Sequence, residues 1–253
     1  MFNQDPKLLL PVLFLAVLPS LVWLFFYLKE DQHPEPRYWL SIIFLIGIAL
    51  APIVIFFEMI LNKFFIALPY LSALGDSLLI VFIAPLVEEL AKYGVVHLTL
   101  NKNPVLDEPV DGMIYVIVSA LGFAAIENVF AIFSFISVGA PGYLNAAFNF
   151  ISLRFISAVA LHGLASGIIG YFFAVFYFIK KDGRLIFTGL LLATALHGIY
   201  NFLINQNNQS LPLILIGVIL GAAAVLVVYL FNRLKHYKAY QQITVDETVE
   251  DKI

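Results

Sequence analysis

Four apolar runs of this sequence carry groups that move protons or hold water. They are Glu88, Glu89 and Lys92 in VEELAKY, Glu127 and Asn128 in GFAAIENVF, His162 in ALHGLAS, and His197 with Asn201 in ALHGIYNF. Carboxyl and imidazole groups are the usual donors and acceptors of general acid–base catalysis. Together they can hold a water for attack on a carbonyl, or ligate zinc. An ionisable side chain at the centre of a membrane helix costs about 3 kcal/mol on insertion scales. Such residues face a bundle interior, pair with one another and mark functional sites.

The spacings narrow the chemistry. Glu88 and Lys92 are i and i+4 and share a helix face, with Glu89 about 100° away. On this reading Lys92 keeps Glu88 ionised while Glu89, lacking a basic neighbour, holds its proton. One ionised and one protonated carboxyl is what acid–base hydrolysis of an amide requires; the plainer alternative is an ion pair that fixes helix packing. His197 and Asn201 are also i and i+4, with Thr194 on the same face. The amide can orient the imidazole or bind an oxyanion, or both residues can simply bridge helices. His162, with Ser166 one turn on, carries the same two readings. Glu127 has no basic residue in its own run, so His162, His197 or Lys92 must reach it from another helix. Glu127, His162 and His197 form a candidate zinc shell and equally a metal-free clamp on water. H-E-x-x-H is absent, and so is cysteine.

These groups need helices to hold them. The chain has 253 residues, 62% hydrophobic and 12% charged, with a mean hydropathy of +0.95, the profile of a polytopic membrane protein. A net charge of −3 without a basic stripe gives no reason to expect a nucleic-acid partner. Seven runs are long enough to cross a bilayer: Leu8–Leu28, Tyr38–Leu61, Ser77–Leu100, Gly112–Phe135, Phe155–Ile179, Leu185–Ile204 and Leu211–Phe231. The first reads as an uncleaved span, Asn145–Arg154 as an interfacial helix, Asp76 as an N-cap, and Trp23, Tyr38 and Trp39 as interfacial belt residues. The expected fold is an all-α bundle of about seven transmembrane helices. Residues 1–232 form the membrane domain and 233–253 a polar, irregular cytoplasmic tail. All lysines and arginines but Lys7, Lys63 and Arg154 fall on one side, which places the C-terminus in the cytoplasm. Glu88, Glu127, His162 and His197 then share a layer near the bilayer midplane, biased outward.

EELAK at 88–92, EPVDGMIY at 108–115, GFAAIEN at 122–128 and the two histidines resemble the PrsW family of intramembrane proteases, as does the PEP turn at 34–36. The resemblance covers roughly residues 85–205. It is similar more distantly to the CAAX-processing and bacteriocin-processing superfamily, from whose pattern it departs: Lys92 sits at a shorter spacing than that family's arginine, and Phe123 with Glu127 gives FxxxE for FxxxH. The resemblance implies hydrolysis of a peptide bond in a membrane-anchored protein, anti-sigma factors among the associated substrates, in a bacterial plasma membrane. It assigns Glu88 and Glu89 as catalytic carboxylates and Glu127, His162 and His197 as completing the site; the spacings themselves put Lys92, Asn128 and Asn201 in support. It leaves zinc or a metal-free, glutamate-activated water open. Two rival classes are a proton-coupled transporter and a non-catalytic scaffold. The first calls for a water path through both leaflets and usually repeat symmetry, which the sequence lacks. The second would tolerate replacement of both Glu88 and His197.

Overall fold

The computed structural model describes residues 6–67, 79–137, 140–206 and 210–250, and within them all regular structure is helical. Helix α1 is Pro6–Leu28 and α2 is Arg37–Ala67. A π turn, Leu79–Ile83, leads into α3, Ala84–Leu100, and α4 is Pro109–Phe135. Helix α5, Tyr143–Arg154, passes through a π turn at Phe155–Val159 into α6, Ala160–Ala174, and on into another at Val175–Ile179. Helix α7 is Gly183–Ile204 and α8 is Ser210–Glu250.

Six of these rods are long and apolar enough to cross a membrane: Leu9–Leu28, Arg37–Phe65, Pro109–Phe135, Tyr143–Ile179, Gly183–Ile204 and Leu211–Tyr237. The chain is thus an integral membrane protein. The expected third span is the exception. Its described part is the π turn and the 17-residue α3, and it spends its length on Glu88, Glu89 and Lys92. Ser77 and Asp76, with its expected capping role, lie outside the described residues. The 145–154 stretch is helical but runs without a break into the fifth rod. The C-terminal helix carries on to Glu250, past the point where its polar composition suggested an irregular tail.

Burial is uneven. The Tyr143–Ile179 rod is 83% buried over its most apolar window and α4 67%, against 22% for α1 and α2, so the first two form the centre and the others the wall. Large side chains such as Phe14, Phe56, Phe187 and Val225 point outward, as lipid-facing positions do. The central contacts rest on glycine. A Cβ on Gly122 would run into the carbonyl of Phe44, and one on Gly47 into that of Ser119, so α2 and α4 touch backbone to backbone. Gly122→Val should therefore lower the unfolding midpoint in detergent, with a cost of about 1–3 kcal/mol or more. A midpoint equal to the wild type would show that this crossing is not tight.

Several contacts gather one end of the bundle. Lys235 Nζ donates to Glu30 at 2.7 Å, His33 lies 3.2 Å from Glu108, and the Tyr115 hydroxyl donates to Glu35. The α1–α2 and α3–α4 connections and the far part of α8 therefore share this end, as they do when consecutive rods, the short α3 included, run in alternate directions. Trp23 does not behave as a belt residue: its Nε1–H donates to the Phe155 carbonyl at 2.8 Å, within the π turn.

Candidate active site

Four rods bring the acidic and imidazole groups together. At 1.5 Å per residue, Glu127 is about 27 Å along the helix from Pro109 and about 12 Å from Phe135. The site therefore lies away from the end that carries the 29–36 and 101–108 connections. Pro85, at the start of α3, has no N–H to give the carbonyl of Val81, and the π turn sits at this point. Gly198 packs directly on that carbonyl; any Cβ there would collide with it. This contact seats α7 against the start of α3 and brings the adjacent His197 to Glu89.

Lys92 is the hub. Its side chain is fully buried, and its ammonium donates to Glu88 Oε2 at 2.9 Å, Glu89 Oε1 at 2.8 Å and His162 Nδ1 at 2.8 Å. All three of its N–H bonds are committed. The nitrogen also stands 4.6 Å from the centre of the Phe123 ring, a cation–π contact. Glu89 is thus not the unpaired carboxyl expected from the sequence. A lysine stem reaches both the i−4 and i−3 carboxylates, and Glu89 also takes His197 Nδ1 at 3.0 Å and the Ser166 hydroxyl at 2.9 Å.

Donor chemistry fixes the imidazole tautomers. A lysine ammonium only donates, so His162 Nδ1 accepts from it and Nε2–H donates to Glu127 Oε2 at 2.6 Å. Both His162 nitrogens are committed. Against the Glu89 carboxylate, His197 Nδ1 is the donor, which leaves the Nε2 lone pair facing Glu88 Oε2 at 4.0 Å. The two rings meet edge to face, 5.2 Å between centres. Glu127 gives its other oxygen to Arg154 Nη2 at 2.9 Å. Asn128 accepts from Arg154 Nε at 2.5 Å and donates to the Ala16 carbonyl at 3.0 Å, so it holds the arginine from behind. Asn201 lies one turn beyond His197 on α7, half-buried.

Two residues of this constellation went unnoticed in the sequence. Arg154 reads there as a boundary charge on the outer side. It lies eight residues before His162, about 80° off its face on an ideal α-helix. The intervening π turn adds the equivalent of one residue and brings the two back to about 20°. Glu58 on α2 is close enough to interact electrostatically with Glu88, Lys92 and Glu127. Its Oε1, and Asn62 Oδ1 one turn on, are buried without a donor among the described residues. A carboxylate inside the apolar run FFEMILN met the same criterion as the others.

Glu88, Glu89, His162 and His197 each offer a ligand atom, all within 4.8 Å of one another. Glu127 falls outside this set, held by Arg154 and His162. By type these four donors suit zinc. By arrangement they do not, because the Lys92 ammonium stands 2.8–2.9 Å from one donor atom of three of them and already commits those atoms.

A family model described as PrsW family intramembrane metalloprotease matches residues 35–233. The chain is 31% identical over 199 residues to a protein named Protease PrsW from Clostridioides difficile (strain 630), covering 77% of this chain and 79% of that protein. It is 30% identical over 182 residues to one of the same name from Geobacillus kaustophilus (strain HTA426), covering 71% and 73%. A third, from Bacillus subtilis (strain 168), is 24% identical over 183 residues, covering 71% and 76%. No solved structure matches. With a matched region spanning most of the chain and a buried carboxylate–imidazole cluster inside its helices, the protein belongs to the PrsW family of intramembrane metalloproteases.

Proposed function

We propose that Glu88 is the general base of an endopeptidase that cleaves a single-span membrane protein, anti-sigma factors being the substrate class suggested by the family resemblance. The observation that carries this reading is the uneven commitment of the carboxyl groups. Glu89 and Glu127 have both oxygens engaged, whereas Glu88 gives one oxygen to Lys92 and keeps the other free of hydrogen bonds among the described residues. Its side chain is 12% exposed, and Oε2, the oxygen that accepts from Lys92, lies 4.0 Å from His197 Nε2; a water on that imidazole also reaches the free Oε1 of the same carboxylate.

A water held there donates one hydrogen to Glu88 and the other to His197. Its oxygen attacks the peptide carbonyl carbon as Glu88 takes the proton. The C–N bond then breaks, and Glu88 returns that proton to the leaving amine nitrogen. Glu89 orients His197; Lys92 offsets the charge of the paired carboxylates; His162, Glu127 and Arg154 brace Lys92 from the far side. No step is routed through a metal, since Lys92 takes the ion's place among the donors. A substrate helix must unwind to expose a peptide bond, which frees backbone N–H groups that lipid cannot satisfy. The unpaired acceptors of Glu58 and Asn62 suit those donors. The lysine- and arginine-rich end, with Lys29, Arg37, Lys102, Lys180, Lys181 and Arg184, is placed in the cytoplasm, the C-terminus with it, in the plasma membrane of a bacterium.

Reconstitution tests the reading against the transporter class. Vesicles holding the protein and a tagged single-span substrate should yield two fragments cut within or beside the span, with no proton flux. Proton flux with an intact substrate would reject it.

A further inference from the structure

The end of the bundle opposite Glu88 carries a second group of carboxyl groups that peptide hydrolysis does not use. Asp31 and Glu35 come from the α1–α2 connection, Asp107 and Glu108 from the α3–α4 connection, and Asp111 from the first turn of α4. Four are buried: Asp31 is 8% exposed, Glu35 7%, Glu108 5% and Asp111 0%. Glu35, Asp107 and Asp111 bring one oxygen each within 4.8 Å of one another, and so do Asp31, Glu108 and Asp111. Buried charges are costly unless paired. Yet no lysine or arginine lies within 4.0 Å of Asp31, Glu35 or Asp111 among the described residues, and the imidazole of His33 pairs with Glu108.

Local hydrogen bonds use only part of this capacity. Asp31 accepts from the backbone N–H of His33 and Glu35, and Glu35 Oε2 accepts from the Tyr115 hydroxyl. Asp111 Oδ2 accepts from the backbone N–H of Asp107 and Glu108 at 3.0 and 2.7 Å. Asp111 Oδ1 is buried and has no N–H or hydroxyl donor among the described residues; the group it meets is the Glu35 carboxyl, itself an acceptor unless one of the two is protonated. Burial, reinforced by the charges of Asp31 and Asp107, pushes the Glu35 carboxyl above its usual range; burial also raises Asp31. An open cavity of about 500 Å³, lined by Pro34, Glu35, Pro36, Val105 and Asp107 among others, reaches Glu35 and Asp107.

We propose that Glu35, Asp107 and Asp111 hold a hydrated divalent cation of the magnesium and calcium class, which clips the α1–α2 connection onto the first turn of α4. The three side-chain ligands are hard oxygens, which select these ions over zinc or copper. The cavity supplies room for the water ligands that magnesium in particular retains. The ion gives Asp111 Oδ1 its partner and offsets charges from both connections, joining segments that are about 70 residues apart in the chain.

The test uses the full chain in detergent micelles, stripped with a chelator and titrated separately with magnesium chloride and calcium chloride. One saturable site is expected for at least one ion, with a rise of several degrees in the unfolding midpoint. Asp107→Asn, an exposed position whose variant should fold, should weaken binding tenfold or more; Glu89→Gln, in the distant site, should leave it unchanged. Absence of saturable binding up to about 10 mM, above the range of weak calcium modules, would overturn the proposal. So would unchanged affinity in Asp107→Asn. A proton shared between Glu35 and Asp111 is the competing arrangement. Because the folded Glu35 holds its proton more tightly than the unfolded one, acid alone would then stabilise the protein and neither metal would, which also overturns the proposal.

Discussion

Glu88→Gln should leave the protein folded and reduce cleavage of a single-span substrate by about 10²–10⁴-fold, the range a positioned general base contributes. The amide has nearly the same shape and still accepts a hydrogen bond from Lys92 through its carbonyl oxygen. It cannot take a proton from water, so kcat should fall while KM stays close to the wild-type value. The unfolding midpoint should move little, because Lys92 keeps Glu89 as its charge partner. Wild-type turnover by Glu88→Gln, measured in vesicles with a fluorescent single-span substrate, would remove Glu88 from the chemistry.

Lys92→Met should have the larger effect on the whole molecule. The side chain of methionine fills a similar volume but offers no donor, so Glu88, Glu89 and His162 each lose a partner at 2.8–2.9 Å. Removing one member of a buried ion pair typically costs about 3–5 kcal/mol, because the remaining charge is stranded. Here one cation serves two carboxylates, and Glu89 is fully buried. We expect a strongly lowered unfolding midpoint and no cleavage. In contrast, Lys92→Arg keeps the charge but not the compact three-way geometry, and should recover stability more than activity. Equal stability of Lys92→Met and wild type, by thermal unfolding in the same detergent, would contradict the hub.

The sequence exposed the cluster through a single rule: a polar residue in a membrane helix must find a polar neighbour. That rule singled out Glu88, Glu89, Glu127, His162 and His197, and the helices bring all five into one connected network. The pairing inside the network was less legible. Helical spacing makes Glu88 and Glu89 both neighbours of Lys92, and only packing decides that the ammonium takes both. Arg154 was hidden by phase, because a π turn shifts the face of the helix between it and His162. Glu58 stands as a lone carboxyl in α2, with no second ionisable group on its helix face to mark it. The third span stands apart from the other six because α3 trades apolar length for the three charges of the site. The second acidic group was invisible for another reason: its members come from two connections, and composition says nothing of how loops fold onto each other.

The Lys92 ammonium commits the donor atoms that an ion would otherwise use. Zinc content per chain by mass spectrometry, read alongside cleavage before and after chelation, addresses this directly. The geometry predicts well under one zinc per chain and cleavage that survives the chelator. One zinc per chain, with activity lost on its removal and restored on its return, would contradict it.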